Sequence, residues 1–127
     1  MNIGILEMFC IEKYFSIQNI LKISDIYMFY PYKNQICISN YNSTSNSEYY
    51  SRIKERVTSI LTKNNIEVTD QNIDLFCILH EIGHYFDCKN YKIEDFLKSR
   101  KIEEVADNFA IKHFNKIKEV LENVKSL

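Results

Sequence analysis

Two glycines and one proline in 127 residues limit what this chain can fold into more than any other feature does. Sandwiches and barrels need glycine and proline at their many tight turns, so a chain this poor in both reads as helices joined by polar loops. The length is that of one domain, taken as 1–127, with a single core. Hydrophobic residues make up 46% and charged residues 26%, a balance that predicts a folded rather than a disordered chain.

Periodicity divides the chain further. Ile11, Tyr14, Phe15, Ile17 and Leu21 predict a short helix over 11–24. IYMFY, PYKN and QICIS then read as strand, four-residue turn and strand, an antiparallel hairpin bounded by Pro31 and Asn34. NYNSTSNS (40–47) is a loop. A helix over 48–64 follows, capped by Ser47, with Tyr50, Ile53, Val57, Ile60 and Leu61 on its apolar face. Arg52, Lys54, Glu55, Arg56 and Lys63 read as its solvated face. After a break at Asn64–Asn65, Thr69 or Asp70 caps a helix with Ile73, Phe76, Leu79, Gly83 and Phe86 toward the core. A short segment near YKIEDFLKS leads to a last helix over 101–125. Its expected stripe is Ile102, Val105, Phe109, Phe114, Ile117, Val120 and Leu121. The expectation is an α+β, mostly helical single domain with a small antiparallel sheet before the 70–88 helix.

Net charge is −1 and basic residues are scattered, without the basic face that neutralises phosphates, so direct nucleic-acid binding is not expected. Lysine outnumbers arginine 13 to 3, which reads as coding bias. No apolar run reaches the roughly 18 residues of a membrane span, and the start MNIGILEMFCIEKYF has no basic n-region. Cys10, Cys37, Cys77 and Cys88 sit in apolar contexts typical of free, buried thiols. A reducing cytoplasm is the expected location.

Within the 70–88 helix stands HEIGH. His80 and His84, four apart, project from neighbouring turns of one face and can reach one zinc ion at roughly 2.0–2.1 Å. Glu81, turned about 100° from His80, stands where a general base takes a proton from a water on the metal. Such a site needs a third protein ligand. Glu103, 19 residues beyond His84, fits a return on an antiparallel helix, and Asp107, four further on, shares its face. Glu103 can then ligate while Asp107 accepts the second N–H of a ligating histidine. Glu104 is an acidic neighbour open to the same role. Gly83 costs a helix up to about 1 kcal/mol relative to alanine, which makes sense if the Glu103 helix packs closely there. A Cys–His–His structural zinc using Cys77 or Cys88 is the competing reading, and it leaves Glu81 and Gly83 without a purpose. His113 is expected to face away from Glu103. Tyr85 and Tyr91 are candidates to polarise a substrate carbonyl, and nine tyrosines make any single choice weak.

HEIGH followed by Glu103, Ala106, Asp107, Phe109 and Ala110 resembles the ImmA/IrrE family of gluzincin metallopeptidases, as does the preceding hairpin ending in QICIS. The resemblance is specific over about 73–112, loose over 11–40 and absent over 41–69. It implies a zincin-like domain with one Zn2+ per chain and His80, His84 and Glu103 as ligands. Glu81 would be the catalytic base and acid, with Asp107 behind the ligands. It further implies an endopeptidase that cleaves a specific intracellular protein, a helix-turn-helix transcriptional repressor, by attack of zinc-bound water. A zinc-stabilised module that grips a regulator without cutting it is the alternative from another class, and a minimal peptidase of broad specificity is a third. Manganese or iron can occupy such an N/O ligand set.

Overall fold

The computed structural model describes residues 20–39 and 47–125. Three strands, β1 (Leu21–Ser24), β2 (Met28–Tyr30) and β3 (Gln35–Ser39), precede four helices. These are α1 (Ser47–Lys63), α2 (Asp70–Cys88), α3 (Ile93–Lys98) and α4 (Ile102–Lys125). The chain is α+β and mostly helical, as its shortage of turn residues predicts.

The hairpin forms as expected. β2 and β3 pair antiparallel, with Phe29 opposite Ile36, and the Asn34 N–H donates to the Pro31 carbonyl at 3.3 Å across the turn. Asn34 takes φ 48°, a left-handed conformation that asparagine tolerates better than most residues. The expected helix over 11–24 is corrected at its end. Residues 21–24 form a strand parallel to β3, with Leu21 opposite Ile36, and 11–19 lie outside the described residues. Leu21 and Ile23 lie two apart, so LKIS satisfies a period of two as well as it did the looser helical one. The sheet order is β1-β3-β2. Central β3 is buried from Ile36 to Ser39, since a middle strand has no solvent edge. The expected loop (40–46) and Cys10 fall outside the described residues.

Helix α1 starts at Ser47 itself, so Ser47 lies within the helix rather than capping it. It ends in a Schellman arrangement: Ile66 N–H donates to the Leu61 carbonyl at 2.9 Å and Asn65 N–H to that of Thr62 at 3.1 Å. Asn65 supplies the left-handed residue at φ 58°, and buried Ile66 closes over buried Leu61. Thr69 caps α2, its Oγ1 accepting from the Asn72 N–H at 3.1 Å. Among the described residues no helix is long and apolar enough to cross a membrane.

Helix α2 is the axis of the molecule. Ile73, Phe76, Ile78, Leu79 and Ile82 are essentially inaccessible, so its buried surface is wider than the one-sided stripe expected from sequence. Asp74, His80, Glu81 and His84 are buried among them. Buried polar groups require partners, and theirs come from other elements. Phe29 of β2 meets Tyr85 edge-on at 6.0 Å and Phe96 of α3 at 6.2 Å, packing sheet and α3 against this helix. On α4 the buried line is Ala106, Ala110 and Phe114, with Ile102 and Phe109 beside it. Val105, expected in that stripe, is 39% exposed. The contact with α2 uses alanines that a search for large apolar residues passes over. Side chains from 117 onward lie outside the described residues.

Gly83 is where the two helices meet. A Cβ there would lie 3.1 Å from Phe109 Cβ and Cδ1 and 3.2 Å from Ala106 Cα. These contacts involve the backbone and the root of a side chain, which yield only if α4 moves. Alanine would gain about 1 kcal/mol of helix propensity, while overpacking costs about 1–3 kcal/mol. Gly83→Ala is therefore expected to destabilise the metal-free protein by about 1 kcal/mol in urea denaturation, with Gly83→Val worse. A stabilised Gly83→Ala would show that no such close approach exists.

Candidate metal centre

Each site residue predicted from sequence is found beside the others. His80 and His84 stack edge to face with ring centroids 4.6 Å apart. Glu103, at the first turn of α4, turns its carboxylate to both. His80 Nε2 lies 3.0 Å from Oε2 and His84 Nε2 lies 3.1 Å from Oε1. Asp107, one turn along, accepts from His80 Nδ1 at 2.8 Å. Glu104 is exposed and, a residue away on the helix, points elsewhere. His80, Glu81 and His84 together offer ligand atoms within 4.8 Å of one another.

The cysteine alternative finds no support in this geometry. Cys77 is buried and burial pushes its thiol pKa upward, away from the thiolate that binds zinc. Cys88 is the last residue of α2. Cys37, Cys77 and Cys88 are all free. His113 packs on Phe109 at 4.1 Å and does not line the cleft described below. Tyr85 is buried against Phe29, and Tyr91 is 58% exposed. Neither lines the cleft.

The electrostatics are those of a crowded acidic and imidazole cluster. Burial raises the pKa of Glu81 to about 7; His80, the Phe29 backbone N–H and Arg56 lower it less, and Glu103 adds to the rise. His84 falls to about 4, first through burial and then through His80. For His80 burial works downward as well, but the Asp107 hydrogen bond and the Glu81 and Glu103 carboxylates outweigh it and the pKa rises. Asp107 resists its own burial and falls, because His80 and Arg56 donate to it.

A metal fits this donor set on chemical grounds. With Nδ1–H given to Asp107, His80 turns Nε2 to a Glu103 oxygen at 3.0 Å. His84, neutral at pH 7, shares that carboxylate, and its Nδ1 is buried with no hydrogen-bond partner among the described residues. In the metal-free site these Nε2 atoms donate N–H to Glu103; without those protons the two nitrogens and the carboxylate converge on one point as three N/O donors of the kind a cation takes. A cation held by His80, His84 and Glu103 would satisfy all three.

A cavity of about 180 Å³ lies beside the cluster, where Tyr27, Tyr49, Ile53, Arg56, Val57 and Cys77 face His80, Glu81 and Glu103. Sequence reasoning missed this wall. Tyr27 donates its O–H to buried Asp74 at 2.5 Å, and its backbone N–H donates to the Tyr49 hydroxyl at 2.9 Å. Arg56, assigned from sequence to a solvated face, donates to both carboxylate oxygens of Asp107 at 2.8 and 2.9 Å. These contacts span 22 to 51 residues, so no local spacing announces them. No protein family, curated protein or solved structure matches the chain.

The raised pKa of Glu81 has a sign that can be tested on metal-free protein. The folded chain holds this proton up to about pH 7, whereas an unfolded glutamate releases it near 4.3. The native state thus binds more protons across that window, and stability falls as pH rises through it. Glu81→Gln removes the titration. Relative to wild type it is expected to gain on the order of 2–3 kcal/mol between pH 4.5 and 8 in urea unfolding. A constant difference would mean that Glu81 is not held in an apolar site.

Proposed function

We propose that this chain is a zinc-dependent endopeptidase of the HExxH type that cleaves an intracellular protein in a reducing cytoplasm. The observation that carries the reading is the meeting of His80 Nε2, His84 Nε2 and the Glu103 carboxylate within 3.0–3.1 Å, beside the buried Glu81. In this reading His80, His84 and Glu103 hold one zinc ion. When bound, zinc supplies a Lewis acid that polarises a scissile carbonyl and acidifies water.

The remaining work falls to the chain. Glu81, with a pKa near 7 in the metal-free site, is matched to taking a proton from water and giving it to the departing amine. Asp107 holds the His80 ring through Nδ1 and so fixes which nitrogen faces the site. The cavity against Glu81 leaves room for water and part of a peptide. Three buried, free thiols agree with a reducing compartment. The resemblance of HEIGH and the Glu103–Ala110 segment to ImmA/IrrE peptidases supports a helix-turn-helix repressor as substrate.

Elemental mass spectrometry is expected to find one zinc per chain in wild type and little in Glu103→Ala. Glu81→Gln is expected to keep its zinc while cleavage of a repressor encoded beside the gene falls by about 10²–10⁴-fold. An intact complex with that repressor, in place of fragments, would make the protein a zinc-stabilised binder. Zinc retained in full by Glu103→Ala would remove Glu103 from the ligand set.

A further inference from the structure

We infer that Arg56 is a positioning residue of this centre: by holding both oxygens of Asp107 it fixes the His80 imidazole and strengthens metal binding. The inference rests on the metal-site reading above and extends it to α1, an element outside the HEIGH and Glu103–Asp107 segments.

Geometry makes the argument. Asp107 Oδ1 accepts from His80 Nδ1 at 2.8 Å and from an Arg56 guanidinium nitrogen at 2.9 Å, and the same nitrogen reaches Oδ2 at 2.8 Å. The terminal torsion of an aspartate is broad and roughly two-fold, so one hydrogen bond to His80 leaves the carboxylate free to swing. One guanidinium nitrogen reaching both oxygens adds two contacts that restrain this swing and keep Oδ1 at the imidazole. Arg56 also faces a patch of like charge, because Glu103 and Asp107 lie four apart on α4, where carboxylates repel. A cation beside Asp107 relieves that repulsion without touching Glu103, whose oxygens remain turned to the histidines.

Stability alone does not account for the contact. The Arg56 side chain is 46% exposed, and an ion pair that open contributes little to folding. The guanidinium charge also opposes a nearby metal ion, but from a half-exposed site that repulsion is screened. Orientation of His80 is the larger effect, so removing Arg56 weakens metal binding.

Zinc affinity measured by competition with a chromophoric chelator tests this. Arg56→Gln is expected to bind zinc about 3–10-fold more weakly than wild type, less than the roughly 10–100-fold loss on removing a direct partner of a ligating histidine. Arg56→Lys, which keeps the charge on a shorter side chain, should recover part of the loss. In an Asp107→Asn background Arg56→Gln should change affinity by less than about twofold, since the residue acts through that carboxylate. Equal losses in both backgrounds, or unchanged or tighter binding by Arg56→Gln, would overturn the inference. A wild type that binds no zinc would overturn the metal-site reading itself, a distinct result.

Discussion

The close approach of α4 to α2 at Gly83 is the constraint on which the site depends. Phe109 and Ala106 occupy the space where a side chain would stand, and Ala106 and Ala110 are fully buried. With the helices seated this deeply, Glu103 and Asp107, three residues before and one after Ala106, reach the two histidines with hydrogen-bond geometry. A wider separation would leave His80 and His84 facing solvent and Glu103 an ordinary surface acid. Packing of small residues thus sets the chemistry, and the helix propensity lost at Gly83 is offset elsewhere in the fold.

That seating creates an electrostatic problem. Glu81, Glu103 and Asp107 crowd two imidazoles in a partly desolvated space, and the opposing pKa displacements follow from it. Glu81 rises because its charged form is poorly solvated, and His84 falls because its charged form is. Both shifts push those two groups toward their neutral forms, whereas His80 rises because Asp107, Glu81 and Glu103 favour its charged form. Under the proposed function a divalent cation, which needs neutral imidazoles and ionised carboxylates, would take the place of the proton on His80 among these carboxylates. In that reading, the carboxylates that hold the His80 proton are the same ones that would favour a cation there.

How far this was legible in the sequence depended on the range of the signal. HEIGH, Gly83 and the Glu103–Asp107 pair obey helical period, so their faces follow from spacing. The gap after His84 allowed an antiparallel return. The hairpin was readable from its turn residues. Strand β1 was not, because four residues such as LKIS carry too little periodicity to separate helix from strand, and its parallel partner lies across the hairpin. Val105 was misplaced for a different reason: α4 buries alanines against α2, so hydrophobic size misled where closeness of backbones decided. Arg56 looked like a solvated residue because only the fold reveals the carboxylate 51 positions away.

The centre and the cleft beside it are consequently encoded in different ways. The geometry of the histidine–carboxylate cluster belongs to α2 and α4, written in short spacings. The cleft wall belongs to α1 and the residue before β2, held by Tyr27 between Asp74 and Tyr49 and by Arg56 on Asp107. Substitutions on the cleft face of α1, at Ile53 or Val57, reshape the cavity while leaving His80, His84 and Glu103 in place. Changes on α4 near Ala106 move both glutamate and aspartate together, because one rigid helix carries them. Under the proposed function, specificity can therefore vary at Ile53 and Val57 of α1, whereas Arg56 on the same helix belongs with the site and the α2–α4 contact leaves little room for larger side chains. That room is least at Gly83, where a Cβ would lie 3.1 Å from Phe109 and 3.2 Å from Ala106.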